Sequence, residues 1–78
     1  MKGINEILKE MNDISKDFDS LVGYIYDRTH DEMMSLAKVI KSSGKDITDP
    51  IKTAFEKILD IRYTDRIDVY RFYYDEEV

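Results

Sequence analysis

Cysteine and tryptophan are both absent from this chain, and proline occurs once. Without cysteine there is no disulfide framework, no thiolate zinc site and no cysteine nucleophile. The absence also suits a reducing compartment. No apolar run approaches the ~18 residues that would cross a bilayer. The first residues, Met-Lys-Gly-Ile-Asn-Glu, turn charged at once, whereas a secretory leader needs a continuous apolar segment there. The expectation is a cytoplasmic protein with no membrane contact.

The constellations that carry catalysis are equally thin. There is no glycine-rich phosphate loop, and Ser15, Ser20, Ser42 and Ser43 stand in no Ser/His/Asp spacing, so they read as surface or capping residues. His30 is the single histidine and sits where a helix would begin, so the helix dipole disfavours its charged form. Asp27-x-x-His30 is half of a carboxylate–histidine motif, but a bundle di-metal site needs two such pairs plus glutamates. Asp17-x-Asp19 lacks the glycine and final glutamate of a calcium loop. The sequence therefore points to no enzyme, no catalytic residue, no metal and no cofactor.

What is present is charge. Charged residues make up 37% of the chain and the net charge is -5. Phosphate backbones repel such a chain, so direct nucleic-acid binding is disfavoured. A basic protein surface, such as that of a nucleic-acid-handling protein, is the better electrostatic match. Isoleucine, lysine, aspartate and tyrosine abound while alanine is scarce. That usage follows from AT-rich coding and points to a low-GC bacterium or its phage. A chain of 78 residues forms one domain, residues 1–78, whose stability is marginal unless its helices pack well or it oligomerises.

The organising stretch is Ile4–Ile25. Ile4, Ile7, Met11, Ile14, Phe18, Leu21 and Ile25 step alternately by three and four, as heptad core positions do. The spacing predicts one helix from about Gly3 to about Asp27, with Gly23 tolerated inside it. Thr29-His30-Asp31-Glu32 forms a capping box. A short second helix follows on Met33, Leu36, Ala37 and Ile40, and Ser42-Ser43-Gly44 ends it. After the loop Lys45–Asp49, Pro50 suits a first helical turn. The line Ile51, Phe55, Ile58, Leu59, Tyr63, Ile67, Tyr70, Tyr74 then predicts one long helix to about Asp75. Residues 67–74 are rich in strand-favouring types, but neither alternating face is cleanly apolar, and helix is preferred.

The expected fold is therefore all-α, a small antiparallel helical bundle of three helices, two long and one short. The long helices would measure roughly 35 and 40 Å against roughly 20 Å for the short one. The short helix would cover half of the seam, and a homodimer or a protein partner would close the rest.

Two surfaces are candidates for that partner. Five of the nine aromatic residues, Tyr63, Tyr70, Phe72, Tyr73 and Tyr74, cluster near the end with Arg62, Arg66 and Arg71 between them. Tyrosine and arginine dominate interface hot spots. The acidic neighbours weigh against a base-stacking platform. The second candidate is a carboxylate stripe, Glu6, Glu10, Asp13 and Asp17, which would share one helix face and suit a basic partner, although an ordinary solvated face has the same pattern. The functional expectation is a small acidic inhibitor or modulator that occludes a protein partner. Phage-encoded anti-host or anti-defence proteins, immunity proteins and antitoxin-like regulators share its size and charge. The alternative is an assembly protein that self-associates along the seam.

Overall fold

The computed structural model describes residues 3–42 and 47–76. The expected helix stop at Ser43-Gly44, loop residues Lys45 and Asp46, and Glu77 lie outside them. The described residues form five helices and no strand: α1 (Ile4–Ile14), α2 (Phe18–Tyr26), α3 (His30–Ser42), α4 (Asp49–Ile61) and α5 (Ile67–Tyr73). The all-helical fold follows the sequence, including helix rather than strand at 67–73. The count of three does not, because each expected long helix is broken near its middle.

The first break falls at Ser15–Asp17. Asp17 adopts an extended backbone (φ -111°, ψ 99°). Its carboxylate accepts from the Ser20 amide at 3.3 Å and from the Ser20 hydroxyl at 2.9 Å. Such an aspartate cap satisfies an orphan amide and starts a new helix. On the other side, the Ser15 hydroxyl donates to the Asn12 carbonyl at 2.9 Å and closes α1. The three–four stepping runs unbroken through this turn, so periodicity alone could not reveal it.

The second break spans 62–66. Arg62 (φ -105°, ψ 29°) and Arg66 (φ -127°, ψ 34°) both leave helical geometry. The Arg62 guanidinium donates to the Tyr26 carbonyl at 3.0 Å and to the Asp65 carboxylate at 3.4 Å. It thereby ties this turn to the C-terminal end of α2.

Both breaks fold the chain back on itself. The Tyr24 hydroxyl on α2 donates to Glu10 on α1 at 2.5 Å, and the Tyr73 hydroxyl on α5 donates to Glu56 on α4 at 2.6 Å. An unbroken first helix would need a rod of roughly 35 Å, the whole long axis of a molecule measuring 35 × 24 × 23 Å. Folding at Ser15–Asp17 instead turns Ile7 and Met11 and then Leu21 and Ile25 into one core, all fully buried. Of the seam expected from the sequence, these four residues are closed within the chain, while Ile4, Ile14 and Phe18 are partly buried. The antiparallel arrangement also changes at one place: α3 and α5 run in the same sense, His30 near Asp68 at one end (3.8 Å) and Lys41 bound to Asp75 at the other.

The capping box forms as read. The Thr29 amide donates to the Glu32 carboxylate at 2.9 Å and the Glu32 amide to the Thr29 hydroxyl at 3.2 Å. Phe55, Ile51, Ile58 and Leu59 from α4 and Val69 from α5 complete a core to which every helix contributes. No helix of the described residues is long and apolar enough to cross a membrane.

Candidate interaction face

The turn at 62–66 and the short α5 build the most distinctive surface. Val69 anchors α5 in the core, fully buried. Tyr70 and Tyr74 lie one turn apart on the same side of the chain, so their rings meet at 4.7 Å. The turn swings Tyr63 edge-on to Tyr70, centroids 4.7 Å apart at 84°. Tyr74 in turn meets Tyr73 edge-on at 4.9 Å, and Tyr73 packs on Phe55 at 5.1 Å. Five rings thus run continuously from Tyr63 at the surface to Phe55 in the core. Tilted and edge-on pairs of this kind add about 0.5–1.5 kcal/mol each beyond the area they bury.

The run is rooted at one end and open at the other. Tyr63 is 44% exposed, Tyr74 40% and Phe72 37%, against full burial of Phe55. Tyr70, Tyr73 and Arg71 are half-buried. The end of α5 is held firmly. Asp75 takes a left-handed backbone (φ 54°), a conformation aspartate tolerates better than most residues. The Glu76 amide then reaches the Arg71 carbonyl at 3.0 Å and the Asp75 amide reaches the Phe72 carbonyl at 3.4 Å, a Schellman closure. Lys41 pairs with the Asp75 carboxylate, donates to the Phe72 carbonyl at 2.7 Å and lies 4.6 Å over the Phe72 ring. From sequence Lys41 reads only as a cation suited to its own helix end. Its partners are more than thirty residues away, and no local signal names them.

Of the three arginines expected among these aromatics, Arg62 and Arg66 make their side-chain hydrogen bonds elsewhere. Arg62 is turned to Tyr26, over whose ring it lies at 5.0 Å. Arg66 is half-buried and donates to the Asp65 carbonyl at 3.2 Å. What borders the tyrosines instead is negative. Partial burial pushes the Tyr70 hydroxyl above its ordinary pKa, and the nearby charges of Glu76 and Asp60 push it further. Burial does the same for Tyr74, aided by Glu56 and Asp60. Tyr73 is raised by burial and then by its hydrogen bond to Glu56. From sequence Asp60 reads as one of the acidic neighbours that weigh against a base-stacking platform, and Glu56 is not singled out. They lie four residues apart on α4, facing rings that a turn away in the chain returns to them.

A shallow cleft of about 460 Å³ lies beside Tyr73 and Tyr74, walled also by Ile40, Lys41, Lys52 and Glu56. It joins α3, α4 and α5.

The carboxylate stripe does not survive as one face. Glu6 and Asp13 are exposed on α1, and Glu10 is half-buried against Tyr24. Asp17 lies beyond the end of α1 and is spent as the cap of α2, where the Ser20 hydroxyl and amide hold its carboxyl below the ordinary value. Among the described residues no group of three or more His, Asp or Glu side chains could hold a metal ion. His30 stands between Asp31 at 3.7 Å and Asp68 at 3.8 Å. Compared with known proteins, the chain matches no protein family, no curated protein and no solved structure.

Proposed function

We propose that this chain is a small non-catalytic interaction protein that binds a protein partner through the face of Tyr63, Tyr70, Phe72 and Tyr74 and acts by occluding it. The observation that carries this reading is the exposed, preassembled run of rings. Side chains already held against one another lose little freedom on binding, which lowers the entropic cost of an interface. Large rings with polar tips are also the residues that concentrate interface energy. An inhibitor or modulator of a basic protein fits this face and the net charge of -5.

The test is capture of a partner with the full chain, followed by calorimetric titration of the isolated pair. A double variant, Tyr63→Ser with Tyr74→Ser, is expected to weaken binding by roughly 30-fold or more, as loss of hot-spot rings does. Its far-ultraviolet circular dichroism should match the parent at a temperature well below the melting transition, because neither ring belongs to the fully buried core, although the lost ring contacts should lower the melting temperature. Unchanged affinity would overturn the reading.

Self-association is the second reading, through this same aromatic end or through the partly buried seam residues Ile4, Ile14 and Phe18. Light scattering at several concentrations separates the two. A concentration-independent dimer that Tyr70→Ala dissociates would favour assembly, and a monomer would favour a heterologous partner.

A further inference from the structure

We propose that the tyrosine face recognises arginine: the rings of Tyr63, Tyr70 and Tyr74, bordered by Asp60 and Glu76, take arginine side chains from a basic protein segment. This rests on the reading of the face as a protein contact and names the chemistry of what it contacts.

The chain itself shows the pairing. Arg28 lies 4.1 Å over the Tyr24 ring and Arg62 lies 5.0 Å over Tyr26. Lysines occupy the two remaining exposed or half-exposed phenylalanines, Lys57 at 5.8 Å from Phe18 and Lys41 at 4.6 Å from Phe72. The Tyr63–Tyr70–Tyr74 run is the exception, with no cation over it among the described residues. A ring face carries the negative quadrupole that attracts a guanidinium, and Tyr63 and Tyr74, at the two ends of the run, stay exposed. The surrounding charge has the matching sign. Asp60 acts on both the Tyr70 and Tyr74 hydroxyls, and Glu76 on Tyr70. Neither carboxylate has an ion-pair partner among the described residues, so both are available to an incoming cation. Arginine suits the site better than lysine. Its flat guanidinium can lie on a ring while its edge donates to a carboxylate, and a lysine ammonium cannot do both in one plane.

The experiment is a nuclear magnetic resonance titration of the full chain with three peptides: acetyl-Gly-Arg-Gly-Arg-Gly-Arg-amide, its lysine counterpart and its neutral citrulline counterpart. The expected result is movement of the Tyr63, Tyr70 and Tyr74 ring signals with the arginine peptide. Lysine should bind several-fold more weakly and citrulline should not bind. Asp60→Asn and Tyr70→Leu should each weaken the arginine peptide about three- to fivefold, the effect of one exposed cation–π or charge contact. Glu6→Gln, which removes one exposed charge on α1, should leave it unchanged. Equal weakening by Glu6→Gln and Asp60→Asn would reduce the effect to net charge and overturn the inference. So would equal affinity for lysine, or ring signals that do not move. Loss of arginine binding with partner capture intact would overturn this inference and leave the protein-contact reading standing.

Discussion

At the scale of single residues, two tyrosine hydroxyls do the work of tethers. Tyr24 binds Glu10 across the first fold-back and Tyr73 binds Glu56 across the second. Burial first, and the bond to Glu10 second, lift Tyr24 to about 12 from its ordinary 10.0. The folded state therefore holds the Tyr24 proton more tightly than the unfolded chain. The stabilisation is complete below pH 10, where both states are protonated, and is lost as pH rises from 10 toward 12 because the unfolded tyrosine ionises first. Urea denaturation between pH 7 and 12 should show this fall, and Tyr24→Phe should reduce its slope. At neutral pH the same variant should lose about 1 kcal/mol, the net worth of one hydrogen bond. The pairing of Tyr24 with Glu10 was not legible beforehand. Both residues lie on expected helical faces, and only the turn between them brings those faces together.

At the scale of elements, the breaks matter more than the helices. Helix type was readable throughout, since three–four stepping and the Thr29–Glu32 box are local signals. The turn at Ser15–Asp17 was hidden because its apolar residues keep helical spacing across it. Its one local mark is Asp17 three residues before Ser20, a cap within a stretch that reads as continuous helix. Asp17→Ala should lower the melting temperature, while Asp17→Ser, which restores a capping oxygen, should recover most of the loss. Hydrogen exchange should localise the change to the amides of Asp19, Ser20 and Leu21. The Asp17 carboxyl is held below its ordinary 3.8. Its contribution is thus present above that value and lost as pH falls through and below it. Acid should accordingly destabilise the parent more than the Ser variant. The second turn carries a different mark. Arg62 finds its acceptor at the end of α2, a contact that no window of neighbouring residues contains.

At the scale of the whole molecule, α2 packs on α4 and α3 on α5 around a core whose largest fully buried side chain is Phe55. Phe55 is fully buried and carries the root of the tyrosine run through Tyr73. Phe55→Ala should cost about 3–5 kcal/mol, which is most of the stability of a domain this small, and leave the chain largely unfolded by circular dichroism. Phe55→Leu should fold and loosen Tyr73, read as a change in its ring signals. The sequence by itself determined that the chain is helical, acidic and without thiol chemistry, and it placed the apolar positions, the capping box and the cluster of aromatics. These follow from composition and from spacing along one chain, which local backbone geometry obeys. The tertiary structure alone decided that each long periodic stretch folds in two, that Ile7, Met11, Leu21 and Ile25 meet in one core, that Arg62 turns to Tyr26, and that Glu56 receives the Tyr73 hydroxyl. Those outcomes depend on which faces can be buried together at once, and a period of 3.6 residues is the same on either side of a turn.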